Sequence, residues 1–146
     1  MVDVGDKPVT HRIAVASGVV RMNPETMVLI QDRKIQKGDV LELARIAGVM
    51  ASKKAADLIP LCHPLSLDSV SINFSAMDDS AIEVVATVSA HERTGVEMEA
   101  LTAVSAACLT IYDMCKSVDR AMVISNIQLE EKSGGKSGHF RRSDEG

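Results

Sequence analysis

The stretch Val70-Ser71-Ile72-Asn73-Phe74-Ser75-Ala76-Met77-Asp78-Asp79-Ser80-Ala81-Ile82-Glu83-Val84-Val85-Ala86-Thr87-Val88 decides the fold. Val70, Ile72, Phe74 and Ala76 alternate with polar residues, as do Ile82, Val84, Ala86 and Val88. Alternation with a period of two gives each segment one apolar face, and Asp78-Asp79-Ser80 supplies turn chemistry between them. The stretch therefore reads as a hairpin with one buried face. Such a face must be covered, and the sequence on either side offers helices to cover it.

Upstream, residues 1–10 read as an extended leader, and residues 11–22 as a strand carrying Ile13, Val15, Val19 and Val20, interrupted at Gly18. Asn23-Pro24-Glu25 is a helix start, with a capping Asn, Pro in the first helical position and Glu in the first turn. That helix runs to about Asp32. A second helix opens at Gly38-Asp39 and runs to about Leu58, its stripe formed by Val40, Leu43, Ala44, Ala47, Met50, Ala51 and Ala55. Pro60 and Pro64 then bracket a rigid connection, Leu61-Cys62-His63.

Downstream of the hairpin, residues 96–118 form a long helix with an apolar face of Leu101, Val104, Cys108, Ile111 and Cys115. Residues 122–129 form the last strand. The order is β-α-α-β-β-α-β. With the two early helices counted as one crossover, the class is α+β and ferredoxin-like, an antiparallel sheet with helices on one face. The whole of 1–146 reads as one domain, closed by a flexible Gly-rich segment over 132–146. The second sheet face needs cover, which predicts an oligomer.

Composition narrows the function. The chain is 46% hydrophobic, enough for a core, but holds no Trp, one Tyr and two Phe. A net charge of −4 argues against a nucleic-acid binder, although a local convergence of cations still suits a phosphorylated small molecule. Cys62, Cys108 and Cys115 form no CxxC pair and are odd in number, which predicts reduced thiols and a cytoplasmic setting. No signal-peptide pattern and no apolar run of about 18 residues is present, so no membrane association is expected.

Several residues are candidates for chemistry. Asp113 and Lys116 lie three apart on one helix face, either a surface pair worth about 0.2–0.5 kcal/mol or an acid/base pair. Ile111, Tyr112, Met114 and Cys115 around them suggest apolar surroundings that would favour a neutral Lys116 amine. His63 sits on a backbone stiffened by two prolines, and no companion ligands make Cys62 and His63 a metal site. Glu97 and Glu99 in a first helical turn complement the helix dipole. Arg12, Lys37 and Lys132 acquire meaning only if they converge, as a triphosphate site requires. In Lys132-Ser133-Gly134-Gly135-Lys136-Ser137-Gly138, Gly135-Lys136-Ser137 looks like the end of a P-loop. Glu130 stands where that motif needs its first glycine, and too little chain follows for the phosphate-facing helix.

Read together, Lys37-Gly38-Asp39-Val40, Ala44-Arg45-Ile46-Ala47-Gly48, Leu58-Ile59-Pro60-Leu61-Cys62-His63-Pro64-Leu65, Thr94-Gly95-Val96-Glu97-Met98-Glu99-Ala100-Leu101-Thr102, Tyr112-Asp113-Met114-Cys115-Lys116 and the glycine-rich run resemble the MoaC family of molybdenum cofactor biosynthesis. The resemblance covers nearly the whole chain, to about Phe140. It implies rearrangement of (8S)-3′,8-cyclo-7,8-dihydroguanosine 5′-triphosphate, the product of an upstream radical SAM enzyme, to cyclic pyranopterin monophosphate with release of diphosphate. It also implies a ferredoxin-like fold and a homo-hexamer, a trimer of dimers with sites at the dimer interface. Asp113, Lys116 and Lys132 match the family's catalytic residues. Leu61, Cys62, His63, Met98, Glu99, Arg12 and Lys37 match its substrate-binding ones. No redox cofactor or metal is expected, although magnesium can accompany a triphosphate. Glu99 and Asp113 are fourteen residues apart on one helix, roughly 21 Å at about 1.5 Å per residue, so a shared site needs two subunits. The competing reading is a ferredoxin-like oligomeric nucleotide sensor without catalysis.

Overall fold

A computed structural model describes residues 1–145. The elements follow in the order β1 (Thr10–Arg21), α1 (Pro24–Gln31), α2 (Val40–Ser52), α3 (Ala55–Leu58), β2 (Ser69–Asp78), β3 (Ala81–Glu92), α4 (Glu97–Cys115), β4 (Val123–Ser133), β5 (Phe140–Arg141) and α5 (Arg142–Glu145). The strands form one sheet in the order β2-β3-β1-β4-β5, with every neighbouring pair antiparallel. Without the short β5 this is the ferredoxin-like α+β arrangement, in which each crossover joins strands separated by one intervening strand.

The hairpin forms as its alternation dictates. Ser80 N–H donates to Asp78 Oδ1 at 2.7 Å and closes the turn between β2 and β3. Ile82, Val84, Ala86, Val88 and Ala90 of β3 are buried beneath the helices. β2 is an edge strand, so Ile72 is fully buried while Val70 and Phe74 are only half-buried. Ala14, Ala16 and Val20 of β1 point to the same side, against Ala100, Ala103, Val104, Ala107 and Cys108 of α4. Each large aliphatic side chain in this layer contributes about 1.5–3 kcal/mol of burial. α4 is long and apolar enough to cross a membrane, but half of that span is buried in this core.

The structure departs from the sequence reading in four places. Gly18 does not interrupt β1: it pairs with Val84, and a methyl group there would stand 2.7 Å from Val104 Cγ1. The glycine lets α4 press onto the strand. The Asn23 side chain makes no cap. Asp119 anchors the helix start instead, accepting from Asn23 N–H at 2.8 Å and from the Thr26 hydroxyl at 2.9 Å. The second helix stops at Ser52, because Lys54 leaves helical geometry at φ −116°, and α3 follows as a separate turn.

The fourth difference concerns the C-terminal end. β4 continues through Lys132 and Ser133, four residues beyond the expected Leu129, and the glycines make the turn toward β5. Lys132 is therefore a strand residue, paired with Ala14 and Phe140, and not part of a free glycine-rich arm.

Candidate active site

The candidate residues gather at the two ends of α4. At its N-terminal end the 61–65 connection packs over the first helical turn. A cleft of about 300 Å³ opens there, lined among others by Leu61, Cys62, His63, Glu97 and Met98. His63 Nε2 lies 2.7 Å from the Val2 carbonyl, so the leader segment holds the ring in place in addition to the flanking prolines. Lys132 Nζ stands 3.6 Å from Glu97 Oε1.

Glu99 lies behind this cleft, only 3% exposed. Its Oε2 accepts from Cys62 Sγ at 3.8 Å, and its Oε1 has no partner among the described residues. Burial pushes the Glu99 carboxyl above the ordinary glutamate value. Burial, and then the Glu99 charge, raise the Cys62 thiol as well. A thiol held in its protonated form beside a buried carboxyl suits hydrogen bonding, not nucleophilic attack. Cys108 and Cys115, pushed up to about 12 and about 11 by burial, are packing residues of the core.

Arg12 is buried, and its Nε donates to the Glu92 carbonyl at 3.2 Å. The turn after β4 wraps around it. Gly134 and Gly135 adopt φ of +97° and +80°, and a side chain on either would overlap the His11 carbonyl or the Arg12 guanidinium. Beside them Lys7, Thr10, Arg12 and Lys136 line a second cleft of about 210 Å³, and Lys7 borders both clefts. This second cleft is lined by cations, as an anionic ligand would need, while the first combines Lys7 with Glu97.

The C-terminal end holds a separate cluster. Asp113 Oδ2 accepts from Lys37 Nζ at 3.0 Å, and Asp113 Oδ1 lies 3.2 Å from Lys116 Nζ. Lys37 also reaches the Asp113 carbonyl at 3.1 Å. Hydrogen bonds from Lys37 and then Lys116 hold the Asp113 carboxyl below the ordinary aspartate value. The expected apolar surroundings are absent within one chain, since Asp113 and Lys116 side chains are 57% and 54% exposed. Ile111, Met114 and Cys115 are buried on the opposite face, as helical periodicity requires of neighbours of an outward pair.

The structure therefore brings Leu61, Cys62, His63, Met98, Glu99, Lys132 and Arg12 to one end and Lys37, Asp113 and Lys116 to the other. Lys132 does not join Asp113 and Lys116 within a chain, although the sequence reading grouped the three. Glu97 was missed as a site residue, because the helix dipole alone accounts for an acidic first turn. Its place inside the Thr94–Thr102 motif was the available signal.

Clustered acidic and basic groups at both ends of α4, with one cleft lined by cations, on a ferredoxin-like α+β fold suit an enzyme acting on a small molecule. The chain belongs to the MoaC family, whose sequence model matches residues 1–135. It is 60% identical over 143 residues to proteins of Mycobacterium tuberculosis and Mycobacterium bovis named cyclic pyranopterin monophosphate synthase 1, covering 98% of this chain and 84% of theirs. A Thermomicrobium roseum protein named cyclic pyranopterin monophosphate synthase is 56% identical over 146 residues, covering 99% of this chain and 88% of that one.

Proposed function

We propose that this chain is a cyclic pyranopterin monophosphate synthase of molybdenum cofactor biosynthesis. It converts (8S)-3′,8-cyclo-7,8-dihydroguanosine 5′-triphosphate to cyclic pyranopterin monophosphate and diphosphate. The observation that carries this reading is identity of 60% to proteins of that name over 98% of the chain. The relatives' enzymatic names count against the nucleotide sensor, which needs cations but no acid/base set.

The chemistry opens a purine-derived ring, closes a pterin ring and cyclises the α-phosphate as diphosphate leaves. Each bond rearrangement moves protons, and Asp113, Lys116 and Lys132 are the groups to move them. Arg12, Lys7 and Lys37 stabilise charge on the phosphates and on the departing diphosphate. The substrate already has the product's oxidation level, so the reading requires no resident redox cofactor, and magnesium enters only with the triphosphate.

The working unit in this proposal is a cytoplasmic homo-hexamer, a trimer of dimers, with each site assembled at a dimer interface. Two features support it. Glu99 and Asp113 stand too far apart along α4 for one nucleotide-sized ligand. Leu43, Ile46 and Met50, at i, i+3 and i+7 of α2, leave an exposed apolar row that a partner subunit would cover. The test is incubation with the cyclic dihydro-GTP substrate and mass detection of the pterin. Appearance of pterin with equimolar diphosphate supports the assignment, and unchanged substrate refutes it.

A further inference from the structure

We infer that Glu97 is a positioning residue for Lys132, holding its ammonium at the start of α4 beside the cleft that Glu97 lines. The inference rests on the reading of Lys132 as an acid/base group. Three independent features of the chain converge on this contact.

The first is a β-bulge. Ala16 pairs with Leu129 and Val15 with Glu131, so Glu130 is an extra residue in β4. If Glu130 paired regularly with Val15 instead, Lys132 would stand opposite Ile13 and face the open side of the sheet. With the bulge, Lys132 pairs with Ala14, a buried residue on the helix side, and its side chain reaches α4.

The second is Gly95. A methyl group at that position would overlap the Glu97 carboxylate. The missing side chain leaves room for Glu97 to fold back over the start of its own helix and toward β4.

The third is burial. The Lys132 and Glu97 side chains are 22% and 31% exposed, unlike the solvent-facing pairs elsewhere on the surface. Reduced exposure limits screening and strengthens the attraction between the two charges. Glu97 itself lines the cleft, and Lys132 Nζ stands 3.6 Å from its Oε1, beside that lining.

The experiment compares steady-state kinetics of the assembled wild-type enzyme with Glu97→Gln, Glu97→Asp, Lys132→Ala and the Glu97→Gln/Lys132→Ala double variant. Oligomeric state and melting temperature are checked for each. Glu97→Gln should lower kcat at least tenfold while changing KM less than threefold, and Glu97→Asp should recover part of the loss. The double variant should be no more than twofold worse than Lys132→Ala. Labelling of Lys132 by an amine acylating reagent, read by mass spectrometry, should become several-fold faster in Glu97→Gln. This readout stands even if that variant assembles poorly, because Glu97→Asp should then give an intermediate rate. Wild-type kinetics in Glu97→Gln, a double variant showing the product of both losses, or unchanged labelling would overturn the inference. Wild-type turnover in Lys132→Ala would instead overturn the assignment of Lys132, and the positioning role with it.

Discussion

Glu99 and Asp113 occupy opposite ends of α4, one 3% exposed behind a cleft and the other at the surface between two lysines. Their environments push their protonation in opposite directions. Burial raises the Glu99 carboxyl above the ordinary glutamate value, whereas hydrogen bonds from Lys37 and Lys116 lower that of Asp113. One helix thus carries two carboxyls whose ionisation is shifted in opposite directions, the kind of difference that separates acid from base roles in a site.

Asp113→Asn and Lys116→Ala should each fold, because both side chains are more than half exposed within one chain. Loss of a general acid or base lowers turnover by about 10²–10⁴-fold. Diphosphate release, followed with a coupled phosphate assay, checks this. Normal release in both variants would remove Asp113 and Lys116 from the mechanism.

Lys37 is the first cause of the lowered Asp113 value. Lys37→Met removes a hydrogen bond that favours the carboxylate, so Asp113 will protonate at a higher pH than in the wild type. The acid limb of the kcat profile should move upward in pH. An acid limb in the same place would show that Asp113 ionisation does not control it.

For Glu99 the linkage has the opposite sign from a salt-bridged carboxylate. Its native value is raised, so between the ordinary and raised values the native chain holds a proton that the unfolded chain has released. The stabilisation is full below the ordinary glutamate value and is lost as pH rises through the raised one. Glu99→Gln removes this dependence. Its melting temperature relative to wild type should increase from pH 4 to pH 7, and a constant difference would contradict the assignment.

Asp119 is buried and accepts from both Asn23 N–H and the Thr26 hydroxyl. Asp119→Ala strands both donors at the start of α1 and should destabilise by about 1–3 kcal/mol. Urea denaturation measures the loss. Asn23→Ala should cost far less, since the Asn23 side chain makes no cap bond.

The hairpin, the long helix and the ferredoxin-like class were legible because periods of two and about 3.6 are local properties of sequence. What escaped depended on contacts between distant segments. Gly18 read as a break because nothing in its neighbourhood shows α4 pressing on it. Asp119 holds the start of α1 through Asn23 N–H, 96 residues before it along the chain. The bulge at Glu130 has no sequence signature of its own, yet it decides which way Lys132 points. Lys132 lies beside Glu97 at the start of α4, the length of the helix away from the Asp113 and Lys116 pair that the motifs suggested as its partners.

The most direct test of a site shared between subunits mixes inactive chains and lets them exchange within oligomers. Glu99→Ala and Lys132→Ala belong to one end of α4, and Asp113→Asn belongs to the other. Glu99→Ala mixed one-to-one with Asp113→Asn should recover roughly a quarter of wild-type turnover, since half the dimers are mixed and each contains one intact site. Glu99→Ala mixed with Lys132→Ala should recover none. No recovery from the first mixture in verified mixed oligomers, or equal recovery from the second, would contradict the shared site.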